Sequence, residues 1–97
     1  MPILIRHCKT KAGFEALPID GKTGKWDQER RLDLRAIGKA LQAKGYDIVD
    51  AGPLLIAKAT GLSESTIYPT GRLIIKCDQE SDAQATATRI YKDIGLE

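Results

Sequence analysis

Hydrophobic residues recur at three- and four-residue intervals in two stretches of the chain, a spacing that predicts two helices. The first stretch carries its apolar stripe at Leu34, Ile37 and Leu41. Asp33, a preferred N-cap residue, precedes this stripe, so we expect a helix over residues 34–44.

The second helical stretch lies near the end of the chain. It opens on Ser81-x-x-Gln84, which is typical of a capping box, and Gly95 follows its last apolar residue. We therefore predict a helix that begins after Ser81 and ends at Gly95.

Short runs of β-branched and apolar residues predict the strands. The clearest are residues 66–68 and 73–77, which Pro-Thr-Gly joins as a hairpin. Residues 3–7 predict a first strand, and residues 48–57 predict further strand interrupted by a Gly-Pro bend. The segment over about residues 9–31 shows neither the helical nor the strand spacing. We therefore expect an irregular insertion that its apolar side chains hold on the domain, or alternatively a small hairpin.

The predicted order is β, irregular segment, α, β, β, β, α. Each helix has a single apolar stripe, so both can cover one face of an antiparallel sheet and leave the other face free. We therefore predict a single α+β domain over residues 1–97, with an inserted segment at about 9–31.

Composition narrows the function classes. The chain has 97 residues, of which 42% are hydrophobic and 29% charged, and no run approaches the length of a membrane span. We expect a cytoplasmic protein. His7, Cys8 and Cys77 could meet on neighbouring strands, but they are fewer ligands than most metal sites use. No nucleophile or acid–base motif is present, so we predict no enzyme activity, no metal and no cofactor.

Alternation along the strands predicts which residues occupy the free face of the sheet. The predicted set combines apolar, aromatic and cationic side chains without a carboxylate. It consists of Leu4, Arg6, Leu55, Ala57, Thr66, Tyr68, Arg72, Ile74 and Lys76. Such a face suits nucleic acid, with Arg6, Arg72 and Lys76 on phosphates and Tyr68 against bases. The net charge of +2 is concentrated in residues 1–31, which adds a weak indication of an anionic partner.

Several motifs resemble one repeat of the TATA-binding protein family, from about residue 31 to the end of the chain. The matching stretches are Arg31-Leu32-Asp33-Leu34-Arg35 with Ile37, then Tyr46, the hairpin Thr66-Ile67-Tyr68-Pro69-Thr70-Gly71-Arg72, and the last helix with Glu80-Ser81-Asp82-Ala83 and Arg89-Ile90-Tyr91.

This resemblance implies half of a saddle whose free sheet face meets the DNA minor groove. Tyr68 falls at one of the two wedge positions of the family repeat, whereas Ala51 falls at the other, and no asparagine stands near Pro2. The resemblance therefore implies DNA binding without TATA specificity, through residues that include Leu55, Thr66 and Ile74. A homodimer would be needed to rebuild the saddle.

An interaction module is the alternative that the residues leave open. An apolar sheet face can equally meet a protein, and the chain could form a homodimer through that face or through the edges of its sheet.

Overall fold

The computed structural model describes residues 3–7, 13–19, 22–26 and 31–95. Its elements in chain order are β1 (Ile3–His7), β2 (Phe14–Pro18), α1 (Leu34–Ala43), β3 (Asp47–Asp50), β4 (Leu55–Lys58), β5 (Ser65–Ile67), β6 (Leu73–Ile75) and α2 (Glu80–Asp93).

All six strands form one antiparallel sheet in the order β1-β2-β6-β5-β4-β3. Four of the five pairings join strands that are consecutive in the chain. The pairing of β2 with β6 is the long-range one, since α1 and three strands lie between them in the chain. β1 and β3 are the edges of the sheet.

Both helices pack on the same face of this sheet. Their buried residues form one core cluster with alternate residues of the strands: Phe14, Ala16, Ile37, Leu41, Tyr46, Leu55, Ala57, Ile67, Leu73, Ile75, Ala83, Ala87, Ile90 and Tyr91. The predicted α+β class, with an antiparallel sheet and two helices, is confirmed. The opposite face of the sheet, called the outer face below, carries no helix.

Helix α1 forms where the apolar spacing predicts it. The Asp33 carboxylate accepts hydrogen bonds from the backbone N–H groups of Arg35 and Ala36, at 3.0 and 3.3 Å. This satisfies two donors of the first turn and confirms Asp33 as the N-cap.

Helix α2 begins earlier than its capping-box sequence predicts. Gln79 is the N-cap and makes no side-chain capping bond, and the helix starts at Glu80. The Gln79 carbonyl already accepts the N–H groups of Asp82 and Ala83. Ser81 therefore lies inside the first turn, and the capping-box prediction is wrong.

Strand β2 lies inside the segment that we expected to be irregular. Phe14, Ala16 and Pro18 face the core, and β2 pairs with β1 on one side and β6 on the other. The stretch over residues 48–57 also forms two strands, β3 and β4, on either side of the predicted Gly52-Pro53 bend. Residues 9–12, 20–21 and 27–30 of the inserted segment lie outside the described residues.

Tyr91 of α2 fixes β2 in place from the core side. Its side chain is fully buried, and its hydroxyl lies 2.6 Å from the carbonyl oxygen of Gly71 and 3.2 Å from that of Ala16. The turn between β5 and β6 packs closely on β2, because a Cβ added at Gly71 would come within 2.9 Å of Pro18 Cγ. One hydroxyl thus links α2, β2 and the β5–β6 turn.

A second tyrosine joins the ends of the two helices. The Tyr46 hydroxyl, just beyond α1, donates a 2.8 Å hydrogen bond to the Asp93 carboxylate in α2. Arg89 donates to the same oxygen at 3.1 Å, and Lys44 lies 3.7 Å from the other oxygen. Burial alone would raise the pKa of Asp93, but the bonds from Tyr46 and Arg89 lower it.

We expect Tyr91→Phe to lower the free energy of unfolding by about 1–3 kcal/mol, because it removes the hydroxyl donor from the buried Gly71 carbonyl while it keeps the ring. Urea unfolding followed by circular dichroism measures this loss. Ala85→Ser, an exposed change on the same helix, is the matched control. An unchanged unfolding midpoint in Tyr91→Phe would contradict the anchoring role.

Candidate interaction surface

The outer face is a continuous surface that crosses all six strands. The strand registers align one side chain from each strand in a single row, in the order Arg6, Glu15, Ile74, Thr66, Ile56 and Val49. The row is charged on β1 and β2 and predominantly apolar from β6 to β3. The outer face therefore has a charged half and an apolar half.

Glu15 occupies the centre of the charged half. Its carboxylate accepts hydrogen bonds from Arg72 Nε and Nη2, at 2.9 and 2.7 Å, and forms an ion pair with Arg6 through its other oxygen. The Glu15 side chain is 13% exposed, compared with 56% for Arg6 and 32% for Arg72. A single carboxylate therefore pairs with two of the three cations that we predicted to contact phosphates.

The pKa of the Glu15 carboxyl reflects these two arginines. Burial alone would raise this pKa, but hydrogen bonds from Arg6 and Arg72, together with the charges of both guanidinium groups, lower it below its ordinary value. Glu15 is thus held as a carboxylate between two cations.

Lys76, the third predicted cation, is also paired. Its amino group lies 2.9 Å from the Glu64 carboxylate, and the hydrogen bond from Lys76 lowers the pKa of Glu64. Both side chains are well exposed, so this pair is weak and open to exchange with solvent ions.

Tyr68 lies beside Arg72 on the same face. Its backbone N–H donates to the Arg72 carbonyl at 2.9 Å, and the Arg72 guanidinium carbon lies 5.1 Å from the centre of the Tyr68 ring. Tyr68 is half-buried, and Arg72 occupies one side of its ring. Thr66 and Ile74 lie on the outer face as predicted, together with Tyr68, Arg72, Arg6 and Lys76.

Two residues of the predicted outer face lie on the other side of the sheet. Leu55 and Ala57 are 3% and 1% exposed and belong to the core, whereas Ile56 between them faces outward. The error is one of parity: the Gly52-Pro53 bend hides the register of β4 from a count along the sequence. The predicted outward position of Leu55 is therefore wrong.

An exposed apolar side chain lies on the outer face at each edge of the sheet. Leu4 on β1 and Val49 on β3 are the exposed large hydrophobic residues of the described chain, with 39% and 58% of their surface accessible. Each lies on an edge strand and points to the outer face. Exposed apolar side chains on unpaired edge strands favour pairing with another strand.

The described residues offer little other chemistry. They contain no group of three or more His, Cys, Asp or Glu side chains arranged to hold a metal ion. Cys77 is a free thiol whose pKa is raised by burial, and Cys8 lies outside the described residues. His7 is exposed and meets Phe14 edge-on. No helix within the described ranges is long and apolar enough to cross a membrane.

Trp26 holds part of the inserted segment. It forms an isolated bridge with Ile19, and its indole N–H donates to the Thr70 carbonyl at 3.3 Å. Trp26 therefore anchors this part of the segment to the turn between β5 and β6.

The free face predicted from the sequence contains neither of the two carboxylates of the outer face, Glu15 and Glu64. For Glu15 a signal was present: Phe14, Ala16 and Pro18 alternate with Glu15 and Leu17, which is the period of a strand. Gly13 and Pro18 lie at the ends of this short run, and both residue types are typical of loops.

Comparison with family models, curated proteins and solved structures finds no match to the chain.

We expect acid to remove the stabilisation that Glu15 provides. Its pKa is lower in the folded chain than the ordinary value of 4.5, so the contribution is complete above that pH and is lost as the pH falls below it. Glu15→Gln should therefore unfold at lower urea concentration than wild type at pH 7, and the difference should shrink toward pH 3. Asp78→Asn, an exposed change, is the control. A difference that is independent of pH would refute this role.

Proposed function

We propose that this chain is a non-enzymatic self-association module that pairs with further copies of itself through the edges of its sheet. The observation that carries the proposal is that, within the described residues, no further strand pairs with β1 or β3, and each of these edge strands presents an exposed large hydrophobic residue, Leu4 on β1 and Val49 on β3. In a monomer, these strands leave backbone N–H and C=O groups without partners in the sheet. Pairing them with another chain satisfies those groups and buries apolar surface.

The charges on the outer face favour this function over nucleic-acid binding. Arg6 and Arg72 share the carboxylate of Glu15, and Lys76 pairs with Glu64, so two anions offset most of the charge of these three cations. A phosphate would have to displace Glu15 from two guanidinium groups, and that carboxylate would then lie unpaired beside the bound anion. A face with this arrangement gives little net attraction for a polyanion.

Self-association is tested by sedimentation velocity and light scattering over a range of concentrations, at 0.05 and 0.5 M NaCl. We expect the mean mass to rise with concentration and the association to persist at the higher salt, because apolar contacts and backbone hydrogen bonds carry it. A chain that remains monomeric to the limit of its solubility would sink the proposal.

Nucleic-acid binding is a second candidate, favoured by one observation. Tyr68 and Arg72 lie side by side on a sheet face that no helix covers, an arrangement in which a ring and a guanidinium group can both meet bases. If this face binds DNA, Glu15 competes with phosphate for Arg6 and Arg72.

The second candidate predicts that Glu15→Gln binds labelled duplex or single-stranded DNA more tightly than wild type, by about tenfold if one charge-assisted pair is released. Affinity should fall steeply as salt rises, and the double variant Arg72→Glu, Lys76→Glu should abolish it. Fluorescence anisotropy measures all three effects. Equal affinities of wild type and Glu15→Gln would count against binding on this face.

A further inference from the structure

We propose that copies of this chain associate head to tail, with β1 of one copy pairing antiparallel to β3 of the next. This inference rests on the self-association proposed above and names its geometry. Its partner is a second copy of the same chain, and its contacts are Leu4 with Val49 and Arg6 with Asp47.

The hydrogen bonds between β3 and β4 fix which groups of β3 point away from the sheet. The Ala51 N–H donates to the Leu54 carbonyl at 3.0 Å, so Ala51 faces β4. Backbone groups alternate in direction along an antiparallel strand, so those of Val49 and Asp47 also face β4. The N–H and C=O groups of Ile48 and Asp50 therefore point outward from this edge.

The outward-directed backbone groups of β1 follow from the strand pairings across the sheet. The Tyr68 N–H donates to the Arg72 carbonyl, so Arg72 and, by alternation, Ile74 direct their backbone groups to β5. Leu73 and Ile75 then direct theirs to β2, where they face Ala16 and Phe14.

On β2, the alternate residues Glu15 and Leu17 direct their backbone groups to β1, where they oppose Arg6 and Leu4. Ile5, which alternates with them, directs its groups away from the sheet, and so does Ile3. The open edge of β1 is therefore formed by the backbone of the odd-numbered residues.

Two open edges can pair only when outward-directed residues oppose one another. Placing Ile5 opposite Ile48 and Ile3 opposite Asp50 meets this condition. Ile5 and Ile48 are partly buried residues that pack against their own cores on the helix side, so this register continues one core into the next.

The same register brings together the exposed side chains of the two edges. Leu4 falls opposite Val49, and Arg6 falls opposite Asp47, all on the outer face. Both are non-hydrogen-bonded pairs, in which side chains approach most closely. The exposed hydrophobic residues of the described chain thus cover each other, and a cation meets a carboxylate.

The strand count allows every copy to keep the same orientation. Adjacent strands of the sheet are antiparallel throughout, so the first and last of the six strands run in opposite directions. A β1 placed beside β3 is then antiparallel to it without turning the copy over. The helices of successive copies lie on the same side of the extended sheet.

Grooves on the helix side support this arrangement. A groove beside β1 is lined by Ile3 and Ile5 and by Glu80 at the start of α2. A groove beside β3 is lined by Ile48 and Asp50 and by cations of α1, Arg35 and Lys39. The proposed register joins the two grooves, because Ile3 and Ile5 lie opposite Asp50 and Ile48. Acidic Glu80 of one copy then faces the basic side of α1 in the next.

A symmetric dimer through two β1 strands fits less well. With Ile5 opposite its own copy, Leu4 would face Arg6, and with Ile5 opposite Ile3, Leu4 would face Leu4. In neither register do opposite charges of the described residues meet on the outer face. Such a dimer also leaves both β3 edges open, with Val49 exposed. The head-to-tail arrangement uses both edges, and it continues to grow unless the twist of the sheet closes a ring.

The test uses two variants that block one edge each. Leu4→Lys places a charge on β1 and Val49→Lys places one on β3, where the opposing residue is apolar. We expect each variant alone to sediment as a monomer. Mixed in equal amounts, the intact β1 of Val49→Lys meets the intact β3 of Leu4→Lys, so we expect a capped 1:1 dimer of two chain masses.

Ala85→Lys, which adds the same charge on the exposed side of α2, is the control and should associate like wild type. Circular dichroism and urea unfolding confirm that each variant is folded. If wild type associates but Val49→Lys does so equally well, or if the mixture remains monomeric, the head-to-tail geometry is overturned while self-association stands. A monomeric wild type would overturn the proposed function itself.

Discussion

β2 is hydrogen-bonded on both sides, and its pairing with β6 is the contact on which the other features of the sheet depend. This pairing joins the beginning of the described chain to its last strand, and Tyr91 of α2 secures it from the core. It places Glu15 at the centre of the charged half of the outer face. It also moves β1 outward to become an edge, with Leu4 exposed.

The electrostatics of the outer face follow from that placement. Without β2, Arg6 and Arg72 would be separated cations on a face open to solvent. With β2 between them, one carboxylate is shared by both, and the Arg72 guanidinium is held within reach of the Tyr68 ring. The charged half therefore carries much of its compensation within itself, and the remaining attraction of the sheet for a partner lies mainly at its edges and its apolar half.

Local signals were sufficient for most of the elements. The helix spacing and the Asp33 cap predict α1, and the Pro-Thr-Gly turn predicts the β5–β6 hairpin; both are confirmed. The failures arise where a distant contact decides. The five residues of β2 become a strand because β1 and β6 flank them, and the direction of Leu55 depends on a register that the Gly52-Pro53 bend conceals. The candidate site shared this weakness, because its cations were predicted without the carboxylate that pairs with them.

The distance along the chain between β2 and β6 also sets an order of assembly. Glu15 and Arg72 are 57 residues apart, so this side of the sheet cannot close until the β5–β6 hairpin exists. Closing so long a loop costs entropy that only the completed core repays. During synthesis, β1 and β2 therefore emerge before β6, the strand with which β2 pairs. Their apolar residues are exposed to neighbouring chains throughout that interval.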